Sequence, residues 1–163
     1  MTKGFIIPFV LAAAVIAMPS GCITSEDGPT VTLNGKSVPN PATIEKLGED
    51  YSFYYPELYY KGDFAAEVIF DENSEQDDDL KKEIKWLIAS RDYTADDALS
   101  VNGITLGSER SEVLNTFGEP QSREDDLNMW FYRGEDQPED EDYLGFEFDE
   151  NGTVSWIGVW INR

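Results

Sequence analysis

Residues 70–73 and 148–151 of this chain both read Phe-Asp-Glu-Asn. The second copy runs on through Gly152 and Val154 to Trp156, and the first reaches Ile84 and Trp86 after a charged insertion. Aspartate and asparagine favour turns because their side chains hydrogen-bond nearby backbone groups. β-Branched residues and tryptophan favour strands. A strand end, a turn and a returning strand are therefore expected at both places. Aligning Trp86 with Trp156 sets an offset of seventy positions, and aligning Phe70 with Phe148 sets seventy-eight. The difference is the eight-residue insertion 74–81. This self-similarity argues for one supersecondary unit used twice.

The rest of the chain can be read around that repeat. Residues 31–38 place Asn34-Gly35 between short apolar runs, a hairpin signal. In 40–48, Asn40 is the expected helix cap, Pro41 the first helical position and Gly48 the stop. Residues 51–70, interrupted by Pro56 and Gly62, predict two strands, and 71–79 a charged loop. Residues 81–91 suit a helix or a strand by periodicity; their correspondence with the last strand decides for a strand. Residues 103–120 predict a helix capped by Ser108, with Val113, Leu114 and Phe117 as its buried stripe and Gly118 then Pro120 as its stop. Residues 128–133 predict a strand with aromatics on both faces, and 134–142 an acidic hairpin loop. Leu144, Phe146 and Phe148 then alternate with other residues, and Asn151-Gly152 turns the chain into a final strand over 153–161. The expected fold class is α+β: a tandem of two small units, 31–101 and 102–163. Each would be a short helical segment packed on an antiparallel β-meander.

Residues 1–21 are set apart as a signal peptide. Lys3 precedes an apolar run from Phe5 to Met18. Such a run spans about 21 Å as a helix, short of a hydrocarbon core of about 30 Å. Ser20-Gly21-Cys22 resembles a bacterial lipobox, with Pro19 in place of the usual leucine-like residue. The resemblance implies lipidation of Cys22, a membrane partner through that lipid, and an exported, anchored protein; 22–30 would be the tether. Cys22 is the only cysteine, so disulfides are excluded.

Thirty-three acidic residues face twelve basic ones, for a formal charge of −21, and there is no histidine. That balance repels nucleic acid and anionic lipid headgroups, and favours either a basic partner or simply a solvated, self-repelling surface. Ser-His and Cys-His nucleophile pairs cannot form. No catalytic residue and no cofactor is assigned. A hydrolase using carboxylates and a passive acidic surface protein stand as alternatives to a binding module. In 71–82, Asp71, Asn73 and Glu75 follow calcium-loop spacing. Gln76 then replaces the required glycine and Lys82 the bidentate glutamate, so no metal site is assigned.

From Gly103 onward the chain resembles the outer-membrane assembly lipoproteins of the SmpA/OmlA type (BamE-like) and the related repeats of the β-lactamase inhibitory protein. The matching residues are Gly103, Gly118, Pro120, Trp130, Tyr132, Phe146, Phe148, Asp149 and Gly152. The tandem layout is closer to the inhibitory protein. The resemblance implies a fold and a non-catalytic, protein-binding role in the cell envelope, directed at an envelope or secreted protein. Candidate partner-binding residues are Trp130, Tyr132, Trp156 and Trp160. If a helix covers the Ile157/Val159 face of the last strand, Trp156 and Trp160 lie on the open face with one of Trp130 or Phe131. Burial of that face by other parts of the chain is the competing reading.

Overall fold

The computed structural model describes residues 28–74, 76–133 and 143–161. Cys22, most of the tether and the loop 134–142 lie outside them. The first elements among the described residues are a hairpin of β1 (Val31–Leu33) and β2 (Lys36–Ser37). Asn34 and Gly35 link the two strands, both at positive φ, as a tight two-residue turn demands. Then come α1 (Ile44–Leu47), β3 (Tyr51–Tyr54), β4 (Glu57–Tyr60), β5 (Asp63–Phe70), β6 (Ile84–Ser90) and β7 (Leu99–Val101). The second half contains α2 (Arg110–Phe117), β8 (Ser122–Glu124), a 3-10 turn at Asp125–Leu127, β9 (Met129–Tyr132), β10 (Leu144–Phe148) and β11 (Val154–Trp160). A three-stranded sheet has the order β2-β1-β7. An eight-stranded antiparallel sheet has the order β3-β4-β5-β6-β11-β10-β9-β8.

The α+β tandem expected from sequence is corrected here. The described residues are β-rich, 44% strand against 12% helix. Its α-helices are only four and eight residues long. The reason lies at the middle of the sheet. Left alone, β6 and β11 would each be the edge strand of a small sheet, with a row of unpaired backbone groups. They pair with each other instead, Trp86 opposite Trp160 and Trp156 opposite Ser90, and the halves merge into one sheet.

Several local expectations shift as well. Pro56 and Gly62 both turn the chain, so 51–70 forms three strands rather than two. Thr43, not Asn40, caps α1, its hydroxyl accepting from the Lys46 N–H at 3.2 Å. Glu109, not Ser108, precedes α2. The Ser108 hydroxyl is spent on the Thr105 N–H, while Glu112 reaches back to the Glu109 N–H at 2.7 Å. Gly118 ends α2 at φ 75°, its N–H bonded to the Leu114 carbonyl.

One face of the large sheet carries the core. Leu58, Val68, Leu87, Phe146, Ile157 and Val159 are fully buried there. Val113 and Phe117 of α2, Ile44 and Leu47 of α1, and Leu33, Leu99 and Val101 of the small sheet join the same cluster. The Phe117 ring lies 5.4 Å from Tyr132 and 5.5 Å from Phe146. Each such buried side chain stabilises by about 1.5–3 kcal/mol. The two Phe-Asp-Glu-Asn turns are tied to the helix starts alike. Ile84 N–H donates to the Ala42 carbonyl, and Val154 N–H to that of Ser108, both at 2.9 Å. Among the described residues no helix is long and apolar enough to cross a membrane.

Candidate partner-binding face

Residues directly opposite each other in paired strands project from the same side of a sheet. On the side away from the core, one such row crosses all eight strands: Ser122, Phe131, Gly145, Gly158, Ile88, Glu67, Glu57 and Tyr54. Beside it run Met129, Glu147, Trp156 and Ser90, and on the other flank Trp160, Trp86 and Ile69. Three of the four tryptophans thus share one face. All three are half-buried, as are Phe131, Met129 and Ile88.

Two glycines decide how Trp156 lies. Gly145 and Gly158 face each other across β10 and β11. A Cβ on Gly158 would stand 2.3 Å from Cη2 of Trp156, and one on Gly145 would stand 3.1 Å from its Cζ3. The indole therefore lies across the glycine pair, one side against the backbone, with the Phe131 ring beside Gly145. Trp86 holds the matching place in β6, but the cross-strand pair beside it is Ile88 and Glu67. The corresponding places thus carry side chains where the second half has glycines. Trp86 stacks instead on Trp160, with centroids 6.2 Å apart and planes at 26°. The Lys85 ammonium sits 4.8 Å from the Trp160 ring centre, a cation–π contact.

Carboxylates border these rings. Glu57 and Glu67 are exposed and Glu147 is half-buried. Glu57 accepts a short hydrogen bond from the Tyr59 hydroxyl, which pushes the Tyr59 pKa up. Tyr54, Tyr59 and Phe64 extend the aromatic surface edge to face toward β3, at 6.3 and 5.9 Å. Among the described residues, neither Glu67 nor Glu147 meets a lysine or arginine within ion-pair distance.

Two of the four candidate residues are elsewhere. Trp130 and Tyr132 pair with Phe146 and Leu144, so they point into the core, 9% and 1% exposed. Tyr132 donates to the Gly118 carbonyl at 3.2 Å, and burial pushes its pKa far up. Trp130 packs edge-on against Phe148 at 4.9 Å, with the Arg110 and Arg123 guanidinium groups 5.3 and 5.1 Å from its ring. Burial removes both from any partner surface. Phe131 takes the place on the accessible face. Sequence reasoning also missed Trp86, although its alignment with Trp156 at the seventy-position offset carried the signal.

In the first turn, Asp71 spends one carboxylate oxygen on the Asn73 N–H and amide, at 2.8 and 3.1 Å. Its counterpart Asp149 accepts from the Asn151 and Thr153 N–H groups, the Thr153 hydroxyl and Arg91. Those bonds hold the Asp149 carboxyl below the usual range, the Thr153 N–H first among them. Both are turn-stabilising arrangements. No group of three or more acidic, cysteine or histidine side chains is placed to hold a metal ion among the described residues. No family model, curated protein or solved structure matches the chain. The likeness to the assembly lipoproteins rests on the residues quoted for it.

Proposed function

We propose that the protein is a lipid-anchored cell-envelope protein that acts by binding another protein, without catalysis, through the Trp86/Trp156/Trp160 face of its large sheet. One observation carries this reading: Trp86, Trp156 and Trp160 all stay partly exposed on one face of the sheet, with Trp160 also reaching the edge of the core. A soluble domain rarely leaves several large aromatics on one uncovered face unless a partner takes them. Tryptophan is also the residue most enriched where binding energy concentrates. The Ser20-Gly21-Cys22 motif supplies the anchor.

A photo-crosslinking residue placed at Met129 or Ile69, at two borders of the face, tests the proposal in cells. The expected result is a discrete crosslinked protein that is lost in Trp156→Ala and Trp160→Ala variants that still fold. Crosslinking unaffected by either variant would count against the face as the binding site.

A further inference from the structure

Resting on that reading, we infer that the group recognised is a guanidinium, carried on an extended basic segment of the partner that lies across the strands from β10 toward β4. The Trp156 indole lies across Gly145 and Gly158, and the residue stays partly exposed, so part of its ring is open to a ligand. Glu147 is the direct cross-strand neighbour of Trp156 and has no cation of its own among the described residues. A planar guanidinium can lay its face on an indole while its edge donates to a carboxylate, which an ammonium cannot do. The protein already pairs these chemistries next door, where the Lys85 ammonium rests on the Trp160 ring. No lysine or arginine of the described residues occupies the Trp156 ring in the same way. Charge complementarity selects the occupant: the chain carries a formal −21, and the row beside Trp156 runs on to the exposed Glu67 and Glu57.

The register also sets a spacing. Adjacent strands lie about 4.8 Å apart, so the step from β10 or β11 to Glu67 on β5 is about 10–14 Å. An extended peptide advances about 3.3 Å per residue. A second cationic side chain three or four residues beyond the first therefore reaches Glu67, with Glu57 just past it.

Fluorescence anisotropy of the full-length chain with labelled glycine-serine peptides tests this directly. Peptides with two arginines four residues apart should bind. Replacing the arginine pair by citrulline, which keeps the planar group and removes the charge, should weaken binding about tenfold or more. Glu147→Gln and Glu67→Gln should each weaken it about threefold or more with the melting temperature unchanged, and Trp156→Phe by a similar factor. Neutralising Asp125 and Asp126, which lie off the row, should leave binding within about twofold. Equal binding of the citrulline peptide, no effect of Glu147→Gln or Glu67→Gln, or an equal loss from the Asp125/Asp126 variant would each overturn the inference. If the cellular crosslinks depend on Trp156 while no arginine peptide binds, the binding-face reading stands and the guanidinium is excluded. A soluble envelope polysaccharide captured through Trp156, with no protein ligand found, would overturn both.

Discussion

Ile88 of β6 pairs directly with Gly158 of β11, the residue seventy positions further along the chain. The same offset relates Trp86 to Trp156, so the pair marks an internal pseudo-two-fold axis at the centre of the eight-stranded sheet. The two sides of that axis have diverged in one decisive respect. The Trp156 indole lies across the glycines at 145 and 158, whereas Trp86, with Glu67 and Ile88 in the corresponding places, stacks on Trp160.

Gly158→Ala follows from that contact. Its methyl would come within van der Waals radii of three Trp156 ring carbons, the nearest at 2.3 Å, so the indole must lift. A loss of about 1–3 kcal/mol is expected, the range for overpacking. A shift in tryptophan emission should accompany it. Urea unfolding with fluorescence detection checks both, and an unshifted emission maximum would show that the indole does not lie on Gly158.

Trp156→Ala and Trp160→Ala should cost less than a core aromatic. Both are half-buried, whereas Phe146 is fully buried between α2 and the sheet. About 1–2.5 kcal/mol is expected for each tryptophan by area. For Phe146→Ala the expectation is about 3–5 kcal/mol. Urea midpoints of the three variants give the ranking. Equal losses would place the tryptophans in the core and sink the binding face.

Gly118→Val tests the helix stop. The residue sits at φ 75°, where a β-branched side chain is strained. More than about 1 kcal/mol of stability should be lost. With ψ at −159° the residue lies outside the left-handed α region that asparagine tolerates, in one essentially confined to glycine, so Gly118→Asn should be destabilising as well.

Asp149 gives the fold a pH dependence with a defined sign. Its folded pKa lies below the unfolded value, so its contribution is present above about pH 4 and is lost as pH falls through the folded pKa. Melting curves from pH 7 downward should show Asp149→Asn less stable than the parent at neutral pH. The two should converge in acid. A constant gap down to pH 2 would remove Asp149 from the acid transition.

Cys22→Ser tests the anchor. The variant should leave the membrane fraction or accumulate unprocessed, and mass spectrometry of the mature N-terminus should find lipid on Cys22 of the parent. An unmodified Cys22, or cleavage elsewhere, would end the lipidation proposal.

Much of the local structure was legible in the chain because it depends on neighbours in sequence. Asn34-Gly35 and Gly118 announce positive φ through the backbone freedom of glycine. The alternation at 144–148 announces a strand with one buried face, and the repeated Phe-Asp-Glu-Asn announces two equivalent turns. The sheet's assembly was not legible, because pairing between β6 and β11 joins residues 66 to 74 positions apart and no local signal encodes it. Register decided the candidate site as well. Residues 129–132 carry aromatics on both faces, and a slip of one residue would put Trp130 and Tyr132 on the open side in place of Phe131. Only the alignment of Phe131 with Gly145, and of Gly145 with Gly158, put Trp130 in the core and left Trp156 on the accessible face. Composition had supplied the acid and the tryptophans; cross-strand geometry determined which of them stand together.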